Sequence, residues 1–371
     1  MKNIYVAATS QHVGKTTSTL GLVALIKNLG IKVGYCKPVG QQFVDLRNLR
    51  VDKDALLFSD VMQFELDSNL HSPVILGRGA TEAYLDAPNS FLHYREGILR
   101  AKEELEKHNE LVIYEGTGHP GVGSVVDLSN AEVAKMLGAG VIMVVEGGVG
   151  STIDKLNLSL AEFNQKGVPI LGVIINKILP DKISKVEKYV GKWLAKNNLP
   201  LLGTLPYDPS LAYPLMRTVV KAIRGEVICN EHSLDNKVRD FISGSLIEMN
   251  KLEGTEDLLL VASTRRIERA LFKISRMSEQ MGIPGTPLAG IIATGEGTID
   301  SDSMAYIAKH KIPLVRTMLD TFGSVIRVDR IEVKINLSTP WKVKKAIELI
   351  AENVDPHLIL EQVGQQEIAK Q

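Results

Sequence analysis

The stretch Ile4-Tyr5-Val6-Ala7-Ala8-Thr9-Ser10-Gln11-His12-Val13-Gly14-Lys15-Thr16-Thr17 decides the fold. Five apolar residues read as a buried strand, and Leu20-Gly21-Leu22-Val23-Ala24-Leu25-Ile26 just beyond reads as a helix. A strand, a tight loop ending Gly-Lys-Thr and a helix are the context in which such a loop binds phosphate. Main-chain N–H groups at the start of the helix face the anion, and the helix dipole favours it. Gln11, His12, Val13, Gly14, Lys15, Thr16 and Thr17 are therefore candidate nucleotide contacts. Lys15 supplies positive charge near the outer phosphates, and the Thr16 hydroxyl is a candidate Mg²⁺ ligand. The loop departs from the usual pattern, because Thr9 stands where a glycine is expected six residues before the lysine. In the longer variant the corresponding place holds Ala8.

Outward from this loop, the first half alternates strands with helices. Strands are predicted over 4–8, 32–36, 111–115, 141–146 and 170–176. Helices are predicted over 17–29, 54–64, 94–107, 131–137, 155–165 and 184–197. The strands are continuous apolar runs, as parallel strands covered on both faces are. The predicted fold is α/β, a doubly wound parallel sheet of the P-loop NTPase type, whose ligands sit at the carboxyl ends of the strands. A turn-rich stretch near Leu201–Pro214 sets the expected domain boundary: residues 1–210, then a smaller α/β domain over 211–360, then a frayed tail over 361–371. In the second domain strands are expected over 258–262, 289–293, 313–316 and 332–335. Helices are expected there over 213–224, 267–281, 302–309 and 340–353.

Composition narrows the function. Lys plus Arg equals Asp plus Glu, 43 each, so no global field draws in nucleic acid or an anionic membrane. Two cysteines, Cys36 and Cys229, make neither a disulfide framework nor a zinc set. The chain starts straight into a strand without a signal-peptide pattern, and no apolar run reaches membrane-spanning length, so a cytoplasmic protein is expected.

Several residues fall on the same sheet rim as the loop. Lys37, in Lys37-Pro38-Val39, closes the second strand and could neutralise charge on a phosphoryl or acyl-phosphate group. Asp54 opens a helix, either as a dipole-favoured carboxylate or as a Mg²⁺ ligand. Glu115 ends an apolar strand with an acid, where phosphoryl-transfer folds hold magnesium. Gly116-Thr117-Gly118-His119-Pro120-Gly121 matches a dinucleotide pattern in letters, but no helix follows at once, and it reads as a flexible rim loop. Asn176-Lys177 ends another strand, where an amide could pair with a purine edge or simply make a turn. Pro206-Tyr207-Asp208 is a candidate wall of the base pocket. In the second half, Ser263-Thr264-Arg265-Arg266 and Thr294-Gly295-Glu296-Gly297 read as ordinary βα connections or as a small-anion pocket.

Together, Val13–Thr16, Lys37–Val39, Asp54-Ala55, Glu115-Gly116 and Asn176-Lys177 resemble the dethiobiotin synthetase family over about the first 210 residues. The resemblance implies ATP and Mg²⁺ as cofactors. Lys15 and Lys37 would be catalytic at the phosphates, Thr16, Asp54 and Glu115 would hold the metal, and Asn176 with Pro206 would hold adenine. It also implies a homo-oligomer, commonly a dimer. Where that family has Thr-Asp-Thr this chain has Thr9-Ser10-Gln11, and its small substrate contacts are replaced by Gly40-Gln41-Gln42. The two-domain pattern is closer to the amino-terminal region of long bacterial phosphotransacetylases, in which a DRTGG domain follows. Leu211–Met216, Ile291–Gly295 and Ile312–Val315 resemble that second domain, with Thr264-Arg265-Arg266 and Gly295-Glu296 in place of its eponymous residues. No phosphotransacetylase catalytic domain is expected within these residues. Cobyrinic-acid amide synthases share the first domain, but neither cysteine sits in a nucleophile turn. Two functions follow from the resemblance. One is a nucleotide-binding regulatory or sensor protein with a small-molecule effector. The other is an ATP-dependent ligase or carboxylase that activates a carboxylate as an acyl phosphate.

Overall fold

The computed structural model describes residues 3–46, 49–87, 93–244, 256–331 and 333–368. The chain divides into two compact units, Met1–Asp208 with Ile335–Gln371, and Pro209–Lys334.

The first unit contains β1 (Asn3–Ala8), β2 (Val33–Cys36), β3 (Val39–Gly40), β4 (Phe43–Leu46), β5 (Leu49–Asp52), β6 (Val74–Ile75), β7 (Leu111–Glu115), β8 (Gly140–Glu146), β9 (Ile170–Ile178) and β10 (Leu201–Pro206). Six of them form an all-parallel sheet in the order β10-β9-β8-β1-β7-β2. Every residue of β1 and β7 is buried, which is why both read as unbroken apolar runs. From β1 the chain first builds outward through β2 and β7, then crosses to the other side with β8. The loop after β1 thus lies at the switch point where ligands bind in open α/β sheets. Two small additions flank the rim: β3 pairs with β6, and β4 pairs with β5 as an antiparallel hairpin.

Helix α1 (Lys15–Lys27) buries residues around much of its circumference, including Leu20, Gly21, Leu22, Val23 and Ile26. The cause is a second covering layer. The helix Pro340–Asn353 packs along α1, and the helix Pro356–Ile368 lies against α1 and β9. At Gly21 a side-chain carbon would overlap Ile350, so only glycine permits this approach. Residues 335–368 were expected in the second domain and in a frayed tail. They belong instead to the first unit, and the expected tail is helical as far as Ile368. Of the strand expected over 332–335, residue 332 lies outside the described residues and 333–335 are not in a strand. Ordinary amphipathic helices complete the layers; Ile183–Lys196, for example, buries Val186, Val190 and Leu194 at a spacing of four.

The second unit is a five-stranded sheet of β11 (Glu226–Cys229), β12 (Asp240–Ser243), β13 (Leu258–Ser263), β14 (Leu288–Thr294) and β15 (Leu314–Thr317). Its order is β11-β15-β14-β13-β12, parallel except for β11. Alternate residues feed two cores, one on each face: Leu258, Leu260, Ile291 and Leu314 on one, Leu259, Val261, Ile292 and Val315 on the other.

Candidate functional site

The loop after β1 is shaped by two left-handed residues, His12 (φ 61°) and Gly14 (φ 95°). Gly14 caps α1 without a side-chain hydrogen bond, so no capping side chain covers the start of the helix, where an anion would bind. Thr9 N–H donates to Val144 O at 3.1 Å, tying the loop's entry to β8. Gln11 and His12 are exposed, Val13 is buried, and Gly14 to Thr17 are half-buried. Lys15 Nζ donates to Gly118 O at 3.3 Å, which places its ammonium under the loop Gly116–Gly121.

That loop, expected to be flexible, is tied down by one side chain. Asn130 Oδ1 accepts from Tyr5 OH at 2.7 Å and from Thr117 N–H at 2.9 Å. Its Nδ2 donates to Thr117 O at 2.8 Å and to His119 O at 2.6 Å. Thr117 also donates its hydroxyl hydrogen to Val39 O. A glycine is required at 116 because a side chain there would overlap the Asn130 carboxamide.

Across the sheet from α1, β7 delivers Glu115, which is fully buried. Thr16 Oγ1 donates to Glu115 Oε1 at 2.7 Å, and Tyr35 OH donates to Oε2 at 3.2 Å. Lys37 leaves β2 beside it, with Nζ 3.7 Å from Glu115 Oε1, 3.7 Å from Asp52 Oδ1 and in contact with Asp54. Burial alone would push the Lys37 ammonium down; Asp54, Glu115 and Asp52 outweigh it and hold the pKa well above the ordinary lysine value. Burial raises Glu115, partly opposed by Lys37, and burial raises Asp52 in the same way. Three carboxylates thus converge on one ammonium beside the phosphate loop.

Asp52 is the residue the sequence reading passed over. It caps the helix α2 (Lys53–Met62), accepting from Asp54 N–H at 2.9 Å, and also accepts from Gln42 N–H at 3.3 Å. Its own N–H donates to Ser72 Oγ at 3.0 Å. An aspartate before a helix is ordinary as a cap; that it is also buried against Lys37 depends on the β4–β5 hairpin, which the sequence pattern did not disclose. The side chain of Asp52 closes over Gly40, where a Cβ would meet Oδ2 at 2.5 Å.

Among the described residues no group of three or more His, Cys, Asp or Glu side chains forms a ready-made metal cage. Magnesium does not need one. It takes one or two carboxylates or hydroxyls and completes its octahedron with phosphate oxygens and water. The hard oxygen donors of Thr16 and Glu115 lie together at the loop, with Asp54 reached through Lys37, so the donor chemistry fits that ion.

The remaining expected contacts lie on β9 and β10. Asn176 is buried, and its Nδ2 donates to Val13 O at 2.8 Å while its Oδ1 accepts from Lys177 N–H at 2.8 Å. One Nδ2 hydrogen and one Oδ1 lone pair of its amide are thus engaged with main chain. Pro206 closes β10 opposite Ile178, at the same rim. In the second unit, Thr264 Oγ1 lies 3.3 Å from Thr294 O and 3.2 Å from Gly295 O, so it braces the two βα loops against each other.

Comparison with known proteins agrees with this architecture. The family described as AAA domain matches residues 2–214. A phosphate acetyltransferase of Synechocystis sp. is 22% identical over 96% of this chain and 51% of its own. A probable cobyric acid synthase of Methanosphaera stadtmanae is 28% identical over 58% of this chain and 46% of its own. The chain thus spans about half the length of the curated relatives it matches. Among solved structures, the MinD cell division protein of Aquifex aeolicus covers 57% of this chain and 85% of its own. It does so at 16% identity and a TM-score of 0.37, a likeness too loose to bear on the site.

Proposed function

Because the chain belongs, through residues 2–214, to the AAA domain family, we propose that its first unit binds ATP with Mg²⁺ and that the protein acts as a nucleotide-dependent regulator or sensor. The observation that carries the reading is the Thr16–Glu115 contact at 2.7 Å, which joins the start of α1 to the end of β7 at the mouth of the loop. In this reading the N–H groups of Gly14 to Thr17 and Lys15 Nζ hold the phosphates. Thr16, Glu115 and Asp54 hold the ion, which screens the phosphate charge. The second unit, DRTGG-like by resemblance, is the responding module and the site of a small effector.

The buried carboxylate of Asp52 favours sensing over ligation. A ligase that activates a carboxylate must bring an anion to Lys37, and here an aspartate already stands there, 3.7 Å away. A second carboxylate brought to the same ammonium would stand close to Asp52, and like charges so placed in a buried site repel. The second reading, acyl-phosphate formation at Lys37, draws on the same burial of Lys37 beside the metal-binding acids.

One experiment separates the two. ATP consumption is followed with pure protein, with and without candidate carboxylates. Saturable ATP–Mg²⁺ binding with no carboxylate-dependent turnover is the expected result. Turnover that requires a carboxylate and disappears in both Lys15→Ala and Lys37→Ala would replace sensing by ligation.

A further inference from the structure

The end of β9 grips the phosphate loop from outside. Lys177 Nζ donates to His12 O at 2.6 Å, and Asn176 Nδ2 donates to Val13 O at 2.8 Å. These are consecutive carbonyls. In a planar trans peptide the carbonyl of one residue and the N–H of the next point in opposite directions. Drawing His12 O and Val13 O toward β9 therefore turns the N–H groups of Val13 and Gly14 away from β9. His12 and Gly14 are both left-handed, the conformation that main-chain nests for anions use.

The grip is built in on both sides. Gly14 has no side chain because one there would collide with the Asn176 carboxamide. Lys177 is itself left-handed (φ 57°), a conformation uncommon for a lysine, and this turns its chain back toward the loop. Gly147 N–H donates to Asn176 O at 2.6 Å, fixing the strand end from β8.

We propose that Asn176 and Lys177 are positioning residues that orient the phosphate-binding amides of Val13 and Gly14. On this assignment both residues act on nucleotide binding through the triphosphate. The inference rests on the nucleotide-binding reading of the first unit.

The test measures the affinity of ATP, GTP and inorganic tripolyphosphate, each with Mg²⁺, by calorimetry on the whole chain. Asn176→Ala should weaken all three by a similar factor, on the order of tenfold, as loss of a buried carbonyl's partner implies. Lys177→Met, which frees the carbonyl of the exposed His12, should also weaken all three, by a smaller factor, and Lys177→Arg, which retains a donor for His12 O, should recover most of the loss. Circular dichroism melting confirms that each variant is folded; Lys177, whose side chain is 35% exposed, provides the test should Asn176→Ala unfold. Loss of ATP binding alone, with tripolyphosphate unchanged, would overturn the proposal and make Asn176 a base reader. So would a Lys177→Met variant that binds all three as the wild type does. Failure of the wild type to bind any of the three would instead remove the reading of the first unit, and this assignment with it.

Discussion

At the scale of single residues, the site is a lysine and a threonine on one helix facing an acid on a neighbouring strand. Lys15→Ala should lower ATP–Mg²⁺ affinity by more than about tenfold, the scale of a lost charge-assisted contact, in an equilibrium titration. Thr16→Val should leave metal-free nucleotide binding in place and abolish the gain in affinity that Mg²⁺ confers. The pH dependence follows from Glu115 and Asp52, whose pKa values are raised, first by burial. In the folded state they take up protons at a higher pH than in the unfolded chain. As pH falls through their folded values the folded state gains protons, so this cluster adds stability on mild acidification and loses it toward alkaline pH. The same protonation removes charge from the metal side. Mg²⁺-dependent nucleotide affinity should therefore decline as pH falls, starting above the ordinary carboxylate range, and Glu115→Gln should flatten that decline. Lys15, Thr16, Lys37, Asp54 and Glu115 could all be picked out in the sequence, because each stands at a strand end or helix start that the apolar runs locate. Asp52 and Asn130 could not, and Lys177 stood out only as the residue that follows Asn176. Their roles depend on a hairpin, on a hydrogen-bond network between β1 and the Gly116–Gly121 loop, and on a left-handed backbone, none of which leaves a periodic trace.

At the scale of elements, the contact between α1 and the helix Pro340–Asn353 is the least tolerant of change. A methyl at position 21 would meet Ile350 and the Ala346 carbonyl. Gly21→Ala should destabilise the protein by about 1–3 kcal/mol through overpacking, read as a fall in melting temperature. The apolar runs of β1, β7, β8 and β9 made these central strands readable, since strands covered on both faces need no alternation. The short β3–β6 and β4–β5 pairs were hidden in polar, irregular stretches. The end of the helix Pro356–Ile368 reads as a tail from residue 361 onward because its Gln-rich stretch carries little apolar signal. The helix is held by tertiary contact with α1 and β9 rather than by pattern.

At the scale of the whole molecule, the chain leaves the first unit at Asp208 and returns to it at Ile335. A sequence reading that moves forward along the chain assigns the returning helices to whatever precedes them, and so it placed them in the second domain. Two fragments test the division. Residues 209–334 carry their own pair of cores and should fold alone with a cooperative melt. Residues 1–208 alone lack the layer over α1 and should melt lower than the intact chain, or not fold. The central claim is that the loop Thr9–Thr17 receives a triphosphate through its main-chain amides. Its most direct measurement is backbone amide NMR of the intact protein titrated with ATP and Mg²⁺. Saturable shifts of the Gly14, Lys15 and Thr16 amides, abolished in Lys15→Ala, are the predicted result. Amides of this loop that stay unmoved at saturating nucleotide would contradict the account.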